Sequence, residues 1–323
     1  MLPTSDLLRN SMGLSVFRCL LAGLVMKNMI FYLPMADNLL GPQAIVDYDT
    51  YLGLMHAYGL EALLYPFHVP YAPQAFVLVT FVVAFLLFFG VFGRVTAFVL
   101  WMLLLLFKQR NGFILDGSDN VIEVTLPFLI LADAYRYNTL SAGSRWQWPA
   151  PLSKAGQLVM RYASLALLIQ ICYVYFFTAL AKLQGDLWLN GTATYYTMRV
   201  DEFRQTSWNI PLTENHYFVV LSTYFTILWE LSFAFLIWFR PTKWPVIVGG
   251  VLLHLGIWYF MRIDNFSWIM IGSYAMFITN RNYVHALAYV RRFLPRRSRV
   301  PQPVSELGQT VVVHSEQPVS SQH

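Results

Sequence analysis

The stretch QLVMRYASLALLIQICYVYFFTALAKL, residues 157–183, decides the class of this protein. Its charged residues stand near its two ends, at Arg161 and Lys182, and the run between them is almost wholly apolar. A membrane-spanning helix needs roughly 20 such residues. Because apolar side chains cover every face of the helix, and not one stripe as in an amphipathic helix, we predict that this segment crosses a membrane.

The composition extends this prediction to most of the chain. Hydrophobic residues make up 57% of the 323 residues and charged residues only 12%, whereas about one-quarter of a soluble domain is charged. Because so few charges would not solvate the surface of a soluble protein, we predict that a lipid bilayer surrounds much of this chain. The 10 Trp and 19 Tyr residues fit the aromatic belts found at membrane interfaces.

Eight apolar segments predict an all-α, polytopic membrane bundle. They lie near residues 12–33, 75–93, 95–110, 119–135, 157–183, 217–239, 244–262 and 266–280. The third and fourth flank the polar stretch KQRNGFILDGSDN (108–120), which we interpret as re-entrant or as lining a cavity. We predict a transmembrane domain over residues 1–282. Residues 283–323 begin as a basic amphipathic stretch and continue as a tail predicted to be disordered.

The charges between these segments predict their orientation. Segment 35–74 has four acidic residues and no Lys or Arg, whereas segment 136–154 has three basic residues and no acidic one. Six arginines also follow between positions 281 and 299. With eight spans, the basic segments share one face, which the positive-inside rule makes cytoplasmic. Both termini are then cytoplasmic in a cell (inner) membrane, and segments 35–74 and 184–216 face outward.

Several functional classes are disfavoured. The net charge of +5 does not indicate nucleic-acid binding, because the basic residues lie beside hydrophobic runs and in the tail. Cys19 and Cys172 both lie inside apolar runs, so they predict neither a disulfide framework nor a cysteine metal site. Seven scattered histidines do not supply the matched spacing of a metal centre.

Lys182 is the first candidate for chemistry, because ionisable groups inside a bilayer are costly and are usually functional. Tyr175 and Thr178 fall on its helix face, at i−7 and i−4. A partly desolvated amine favours its neutral form, so Lys182 is a candidate base. The alternative is an anchoring lysine that extends its charge to the outer headgroups.

Glu230 and His254 are candidates in the sixth and seventh predicted spans. Glu230 can pair with Lys182, or with Arg18 or Lys27 of the first span, either as a structural contact or in chemistry. His254 lies in GGVLLHLG, where small residues allow close helix contact. It is either a proton carrier or a hydrogen-bonded packing residue.

A polar cluster opens the fourth predicted span, with Asp116, Asp119, Asn120 and Glu123. Asn120 and Glu123 share a helical face, and the cluster could hold a polar substrate or position a base. The alternative is a helix cap, with an aspartate in the first turn of the helix.

Five segments together resemble the HTTM family, the membrane domain shared with vitamin K-dependent γ-glutamyl carboxylase. The order and spacing match from about residue 12 to 280, and the most specific piece is AKLQGDLWLNGTA (181–193), an unusual polar run that leaves a membrane helix. The five segments are RNGFILDGSDN (110–120), LILADAYRYNTLS (129–141), VYFFTALAKLQGDLWLNGTATYY (174–196), LWELSF (228–233) and LHLGIWYFMRIDNFSW (253–268).

The resemblance implies that Lys182 is a base on the non-cytoplasmic side, because the matching lysine of the carboxylase deprotonates reduced vitamin K. It also implies a vitamin K- or menaquinol-type quinone as co-substrate, and it aligns Asp119 and Asn120 with the catalytic asparagine–histidine pair of the carboxylase. This chain has no histidine in that window. A short basic tail stands where the carboxylase continues into the large domain that grips its protein substrate.

Two hypotheses of function follow. In the first, the protein is an enzyme with carboxylase-like lyase and epoxidase chemistry that modifies a secreted peptide or protein, held by a soluble extracytoplasmic partner. In the second, it is a non-enzymatic membrane component for the maturation, export or immunity of a secreted peptide. The catalytic candidates are Lys182, Asp119 and Asn120, and the binding candidates are Glu123, Tyr175, Trp188, Glu230 and His254.

Overall fold

The computed structural model describes residues 10–293, apart from positions 43, 47, 60–66, 68, 115, 138 and 140–152. All regular secondary structure in these residues is helical. The chain divides into two units, Met1–Val284 and His285–His323. The tail that we predict to be disordered lies, from residue 294 onward, outside the described residues.

The helices follow one another along the whole described chain, with short 3₁₀ turns at Leu33–Met35 and Ala275–Phe277. In chain order the α-helices are α1 Ser11–Tyr32, α2 Ala36–Leu40, α3 Tyr48–Tyr58, α4 Ala72–Phe88, α5 Arg94–Arg110, α6 Gly117–Leu131, α7 Ser153–Lys182, α8 Asp186–Leu189, α9 Ala193–Thr197, α10 Asn209–Glu214, α11 His216–Leu236, α12 Arg240–Met261, α13 Asp264–Tyr274 and α14 Asn280–Phe293.

The eight predicted segments coincide with α1, α4, α5, α6, α7, α11, α12 and α13. Within the first unit each of these helices packs against the next, and α13 packs against α1, so the contacts close into a ring. The helix α13 also contacts α6. The chain ends α13 earlier than predicted, because its backbone tightens into the 3₁₀ turn at Ala275–Phe277.

The number of membrane spans differs from the prediction. Among the described residues, four helical stretches are long and apolar enough to cross a membrane, namely Ser11–Leu40, Lys154–Lys182, His216–Leu236 and Arg240–Met261. The helices α4 and α5 have 17 residues each, α6 has 15 and α13 has 11. At 1.5 Å per residue, α13 is about 16 Å long, roughly half of a 30 Å hydrocarbon core. Among the described residues, length and hydropathy therefore identify four candidate spans, fewer than the eight predicted.

The outer faces of the long helices are apolar. Leu221 and Leu228 of α11 are 69% and 62% exposed, and Val248 and Leu252 of α12 are 54% and 64% exposed. A soluble protein rarely exposes a continuous apolar surface of this kind. These faces are suited to contact with lipid, in agreement with the prediction of a membrane protein.

The polar stretch before α6 is used inside the protein. Arg110 and Asn111 are fully buried, and their side chains donate to backbone carbonyls at the end of α2. Arg110 Nε donates to Leu40 O at 2.8 Å, and Asn111 Nδ2 donates to Leu39 O at 3.0 Å. The last carbonyls of a helix have no partner within the helix. This stretch therefore supplies the donors that allow α2 to end in a buried position.

Candidate functional site

Lys182 and Glu230 form an ion pair that joins the end of α7 to the middle of α11. Lys182 Nζ donates to both carboxylate oxygens of Glu230, at 2.6 Å each. The two side chains are only 22% and 11% exposed. Lys182 occupies the last turn of α7, where the helix dipole also favours a positive charge. The pair is thus held at a position where water screens it weakly.

The other two cations considered as partners of Glu230 bind elsewhere. Arg18 is fully buried in α1, and its guanidinium donates to the carbonyl of Ala134 at 3.0 Å. Lys27 Nζ donates to Asn265 Oδ1 at 2.7 Å. Arg18 and Lys27 therefore do not fill the role that the sequence left open for them, and Lys182 does.

The ion pair lines a cavity of about 510 Å³ between α7, α11, α12 and α13. This volume lies within the range of about 300–1,000 Å³ that is usual for small-molecule sites. Most of the wall is apolar, with Leu252, Ile257 and Phe266 among its residues. Five residues predicted from the sequence as site residues lie on this one wall, namely Lys182, Glu230, Tyr175, Trp188 and His254.

Trp188 lies over the lysine because the chain turns sharply after α7. Gly185 N donates to Lys182 O at 3.0 Å, and α8 then starts at Asp186. This turn brings the Trp188 ring centroid to 5.1 Å from Lys182 Nζ. A lysine over an indole face gains a cation–π attraction of about 0.5–2 kcal/mol, depending on how far it is desolvated. Lys182 is therefore held by a carboxylate and by an aromatic face.

A second polar group on the cavity wall links α7, α12 and α13. The Tyr175 hydroxyl lies 2.9 Å from His254 Nε2 and 2.5 Å from the Tyr274 hydroxyl. His254 is 2% exposed, and its Nδ1 has no hydrogen-bond partner among the described residues. Gly250 permits this approach, because a Cβ there would lie 2.4 Å from the Tyr274 hydroxyl. The contacts are those of a hydrogen-bonded packing histidine that also faces a cavity.

The segment between α7 and α11 covers part of the cavity. Thr194, Thr197 and Met198 contribute to the cavity wall from this segment. Thr194 N donates to Thr223 Oγ1 at 3.1 Å, and Asn209 Nδ2 donates to Phe260 O at 3.0 Å. These bonds fix the covering segment to α11 and α12. It is an ordered part of the site and not a free loop.

Asp119, Asn120 and Glu123 lie in the first two turns of α6 and do not line the Lys182 cavity. Asp119 accepts from Asp116 N at 3.0 Å while Asp116 caps α6, which together form a capping box. Lys108 Nζ contacts Glu123 at 2.5 Å and Asn120 Oδ1 at 3.5 Å. Asp119 and Glu123 line a different and much smaller cavity. The structure gives the aspartates the contacts of the helix-cap alternative and does not bring this cluster to Lys182.

Sequence reasoning missed several residues of the cavity. Phe266 lines the cavity from the short α13, and Thr194 and Met198 line it from the covering segment. Tyr274, also in α13, is not on the cavity wall and contacts it through the Tyr175 hydroxyl. An aromatic residue in an apolar helix carries no signal that separates a site from ordinary packing. The hydroxyl-rich run around Thr194 lies only about a dozen residues after Lys182, in the segment that resembles the HTTM family. This short spacing was the one signal in the sequence that the run could reach the site of Lys182.

Comparisons with known proteins give two distant similarities, both to proteins of Bacillus subtilis (strain 168). The chain is 27% identical over 197 residues to the uncharacterized protein YitO, and this match covers 58% of this chain and 61% of YitO. It is 27% identical over 178 residues to the sporulation-delaying protein SdpB, and this match covers 53% of each chain. The match thus spans little more than half the length of these relatives, and it suggests a common family.

No protein-family model matches the chain. No solved structure matches it. The resemblance to the HTTM family therefore rests on the sequence segments alone.

Proposed function

We propose that the protein is an HTTM-type enzyme of the cell membrane that modifies a secreted peptide or protein, with a lipid-soluble quinone-type co-substrate in the Lys182 cavity. The observation that carries this proposal is the ion pair of Lys182 and Glu230 on the wall of an apolar cavity of about 510 Å³. Charged groups are rare inside membrane bundles and usually mark sites of function.

In this proposal all eight segments belong to the membrane region, and the short helices α4, α5, α6 and α13 are shielded by their neighbours in the ring. Both termini are cytoplasmic, and the cavity opens outward. The charge difference between segments 35–74 and 136–154 supports this orientation. The position of Lys182 at the end of α7, opposite the basic segment that precedes that helix, supports it as well.

The cavity fits an amphipathic ring compound with an apolar tail. Leu252, Ile257 and Phe266 offer apolar contact, while Lys182 and the Tyr175–His254 pair offer polar groups at separate positions on the wall. A reduced quinone, when bound, would supply an acidic hydroxyl and a source of electrons. Trp188 and the covering segment around Thr194 would exclude water from the lysine.

The ion pair gives Lys182 a route to its basic form. Transfer of the proton from Lys182 Nζ to a carboxylate oxygen of Glu230 leaves a neutral amine beside a neutral acid. Burial penalises two charges more than two neutral groups, so a low-dielectric cavity makes this transfer less costly than it is in water. The neutral Nζ can then accept a proton from an acidic group in the cavity.

A direct test is to purify the protein from its native membrane and to measure co-purifying quinone by mass spectrometry. We expect quinone with the native protein and less with an Ile257→Trp variant, because the larger side chain of this partly buried lining residue would fill the cavity. Lys108→Gln, which alters a half-buried lysine of another cavity, serves as the matched control. Equal quinone in all three preparations, or none with the native protein, would contradict the proposal.

The second candidate function is a non-enzymatic component for the maturation, export or immunity of a secreted peptide. A specific observation favours it, since one relative is named as a sporulation-delaying protein. The bidentate contact with Glu230 is also what a purely structural Lys182 would make. The two candidates differ in whether Lys182 must lose its proton, and substitution by arginine separates them.

A further inference from the structure

A second cavity, of about 630 Å³, adjoins the cavity that contains Lys182. Met261, Ile263 and Phe266 line both cavities, so the junction between α12 and α13 is their common wall. Arg262 at this junction has a left-handed backbone conformation, with φ 55°. A non-glycine residue rarely adopts this conformation. We refer to the second cavity as the junction cavity.

The junction cavity is lined by charges of both signs that do not pair with each other. The charged residues of the wall are Lys27, Arg262, Asp116, Glu202 and Asp264. Within the part of the chain that the structure describes, none of these five forms an ion pair shorter than 4.0 Å. Lys182 and Glu230 in the first cavity, by contrast, pair with each other.

The cationic side of the junction cavity is held in place from behind. Lys27 Nζ donates to Asn265 Oδ1 at 2.7 Å, and Asn265 Nδ2 donates to Asn28 Oδ1 at 3.0 Å. Asn28 is only 6% exposed. A mobile surface lysine loses side-chain entropy when it binds a ligand. Lys27 has already been ordered by this chain of amides, so an acidic group can bind it at a smaller entropic cost.

The anionic side carries a carboxylate, Asp264, that forms no ion pair among the described residues. Asp264 begins α13, and its Oδ1 is buried without a hydrogen-bond partner among the described residues. Such an oxygen is unfavourable unless a donor or a positive charge lies close by. Asp264 thus places a negative charge on the cavity wall, and a cation in the cavity would offset that charge.

The remaining walls come from loops and helix ends. Glu202, Phe203 and Gln205 belong to the segment that covers the first cavity, and Asp116 and Gly117 begin α6. Gln205 Nε2 donates to Glu202 O at 2.8 Å, and the carboxamide oxygen of Gln205 can accept from a peptide N–H. The apolar wall at Ile263 and Phe266 is suited to an apolar side chain.

From this combination we propose that the junction cavity binds a peptide segment that carries an acidic group and a basic group close together. The acidic group pairs with Lys27, and the basic group pairs with Asp264. Lipid headgroups also carry both charges, but the walls formed by loops and helix ends favour an occupant that enters from water. This inference does not depend on which compound fills the Lys182 cavity. It places a peptide directly beside that cavity, across the wall formed by Phe266.

The test is protection of a single cysteine. Gln205 is exposed on the wall of the junction cavity, so Gln205→Cys in a Cys19→Ser, Cys172→Ser background reports occupancy through its rate of alkylation by a small maleimide. The protein is reconstituted in phosphatidylcholine nanodiscs. One probe is a capped pentapeptide with one glutamate and one lysine. The other replaces these two residues by glutamine and norleucine.

We expect the charged pentapeptide to slow alkylation saturably, by about tenfold at ten times its dissociation constant, and the neutral one to have no effect. Lys27→Gln and Asp264→Asn should each raise the concentration for half-protection by about tenfold, as expected for the loss of one charge-assisted hydrogen bond. Lys108→Gln, in another cavity, should leave it unchanged.

Equal effects of the two peptides, or no protection by either, would overturn the proposal. Protection that appears without peptide when the nanodiscs contain phosphatidylethanolamine would also overturn it, because the occupant would then be a lipid. Failure of Lys27→Gln to fold leaves Asp264→Asn and the comparison of the two peptides as independent tests.

Discussion

Lys182 Nζ lies 2.6 Å from both carboxylate oxygens of Glu230, although 47 residues of chain separate the two. The contact fixes the end of α7, where the HTTM-like polar run begins, against the middle of α11. It gives Lys182 a partner that can hold its charge or take its proton. Stability and chemistry therefore meet at the same two side chains, and substitutions have to be chosen to separate them.

We expect Glu230→Leu to lower stability more than Glu230→Gln, because leucine removes both the charge and the hydrogen-bond acceptors. Interhelical polar contacts in membranes contribute about 0.6 kcal/mol on average and up to about 1.7 kcal/mol, and an unpaired ammonium adds to the loss. Thermal unfolding in detergent, followed by size-exclusion fluorescence, measures the effect. The double variant Lys182→Met, Glu230→Leu should recover part of it. Unchanged melting in Glu230→Leu would mean that the pair is not formed.

We expect Gly250→Ala to destabilise the protein by about 1–3 kcal/mol, as overpacking of a tight contact usually does. A Cβ at Gly250 would lie 2.4 Å from both Trp229 Cζ2 and the Tyr274 hydroxyl. Gly256→Ala, in the same helix, is the matched control, since no atom lies within 4 Å of a Cβ there. Similar melting temperatures for the two variants would argue against this packing of α12 on α11 and α13.

We expect Asp119→Ala to lower the stability of the protein by about 1 kcal/mol, the usual cost of losing a capping interaction. Asp119 accepts from the backbone N of Asp116, and Asp119→Asn keeps an acceptor there, so its loss should be smaller. Function per folded molecule should be unchanged in both variants. A loss of function at wild-type stability would instead support the catalytic role that the family resemblance gives to Asp119.

Much of the fold is readable from the sequence, since each of the eight apolar segments became a helix. The lengths of the short helices could not be predicted from the sequence. In α13, for example, the run from residue 266 to 280 remains apolar although the backbone changes to a 3₁₀ turn at Ala275. The pairing of Glu230 with Lys182 was one of three options, and only the packing of α7 against α11 selects it. The capping box of α6 was equally compatible with a catalytic cluster in the sequence.

The orientation predicts that the two ends of α7 are accessible from opposite sides of the membrane. In a Cys19→Ser, Cys172→Ser background, a membrane-impermeant thiol reagent should label Asp201→Cys in intact cells and should not label Ala155→Cys. The Asp201 side chain is 91% exposed, and Ala155 is exposed at the start of α7. Both should react after the membrane is permeabilised. Labelling of Ala155→Cys alone in intact cells would show that the orientation is the reverse of the proposed one.

The central claim is that Lys182 acts as a base, and Lys182→Arg tests it most directly. Arginine keeps a permanent positive charge that can pair with Glu230, but it effectively cannot lose its proton. The measurement is the secreted product or the growth phenotype that the wild-type gene restores to a deletion strain, at matched protein abundance in the membrane. Loss of a general base lowers a rate by about 10² to 10⁴, so we predict that Lys182→Arg folds, inserts and is inactive. Wild-type function in Lys182→Arg would contradict the base assignment and favour the non-enzymatic candidate.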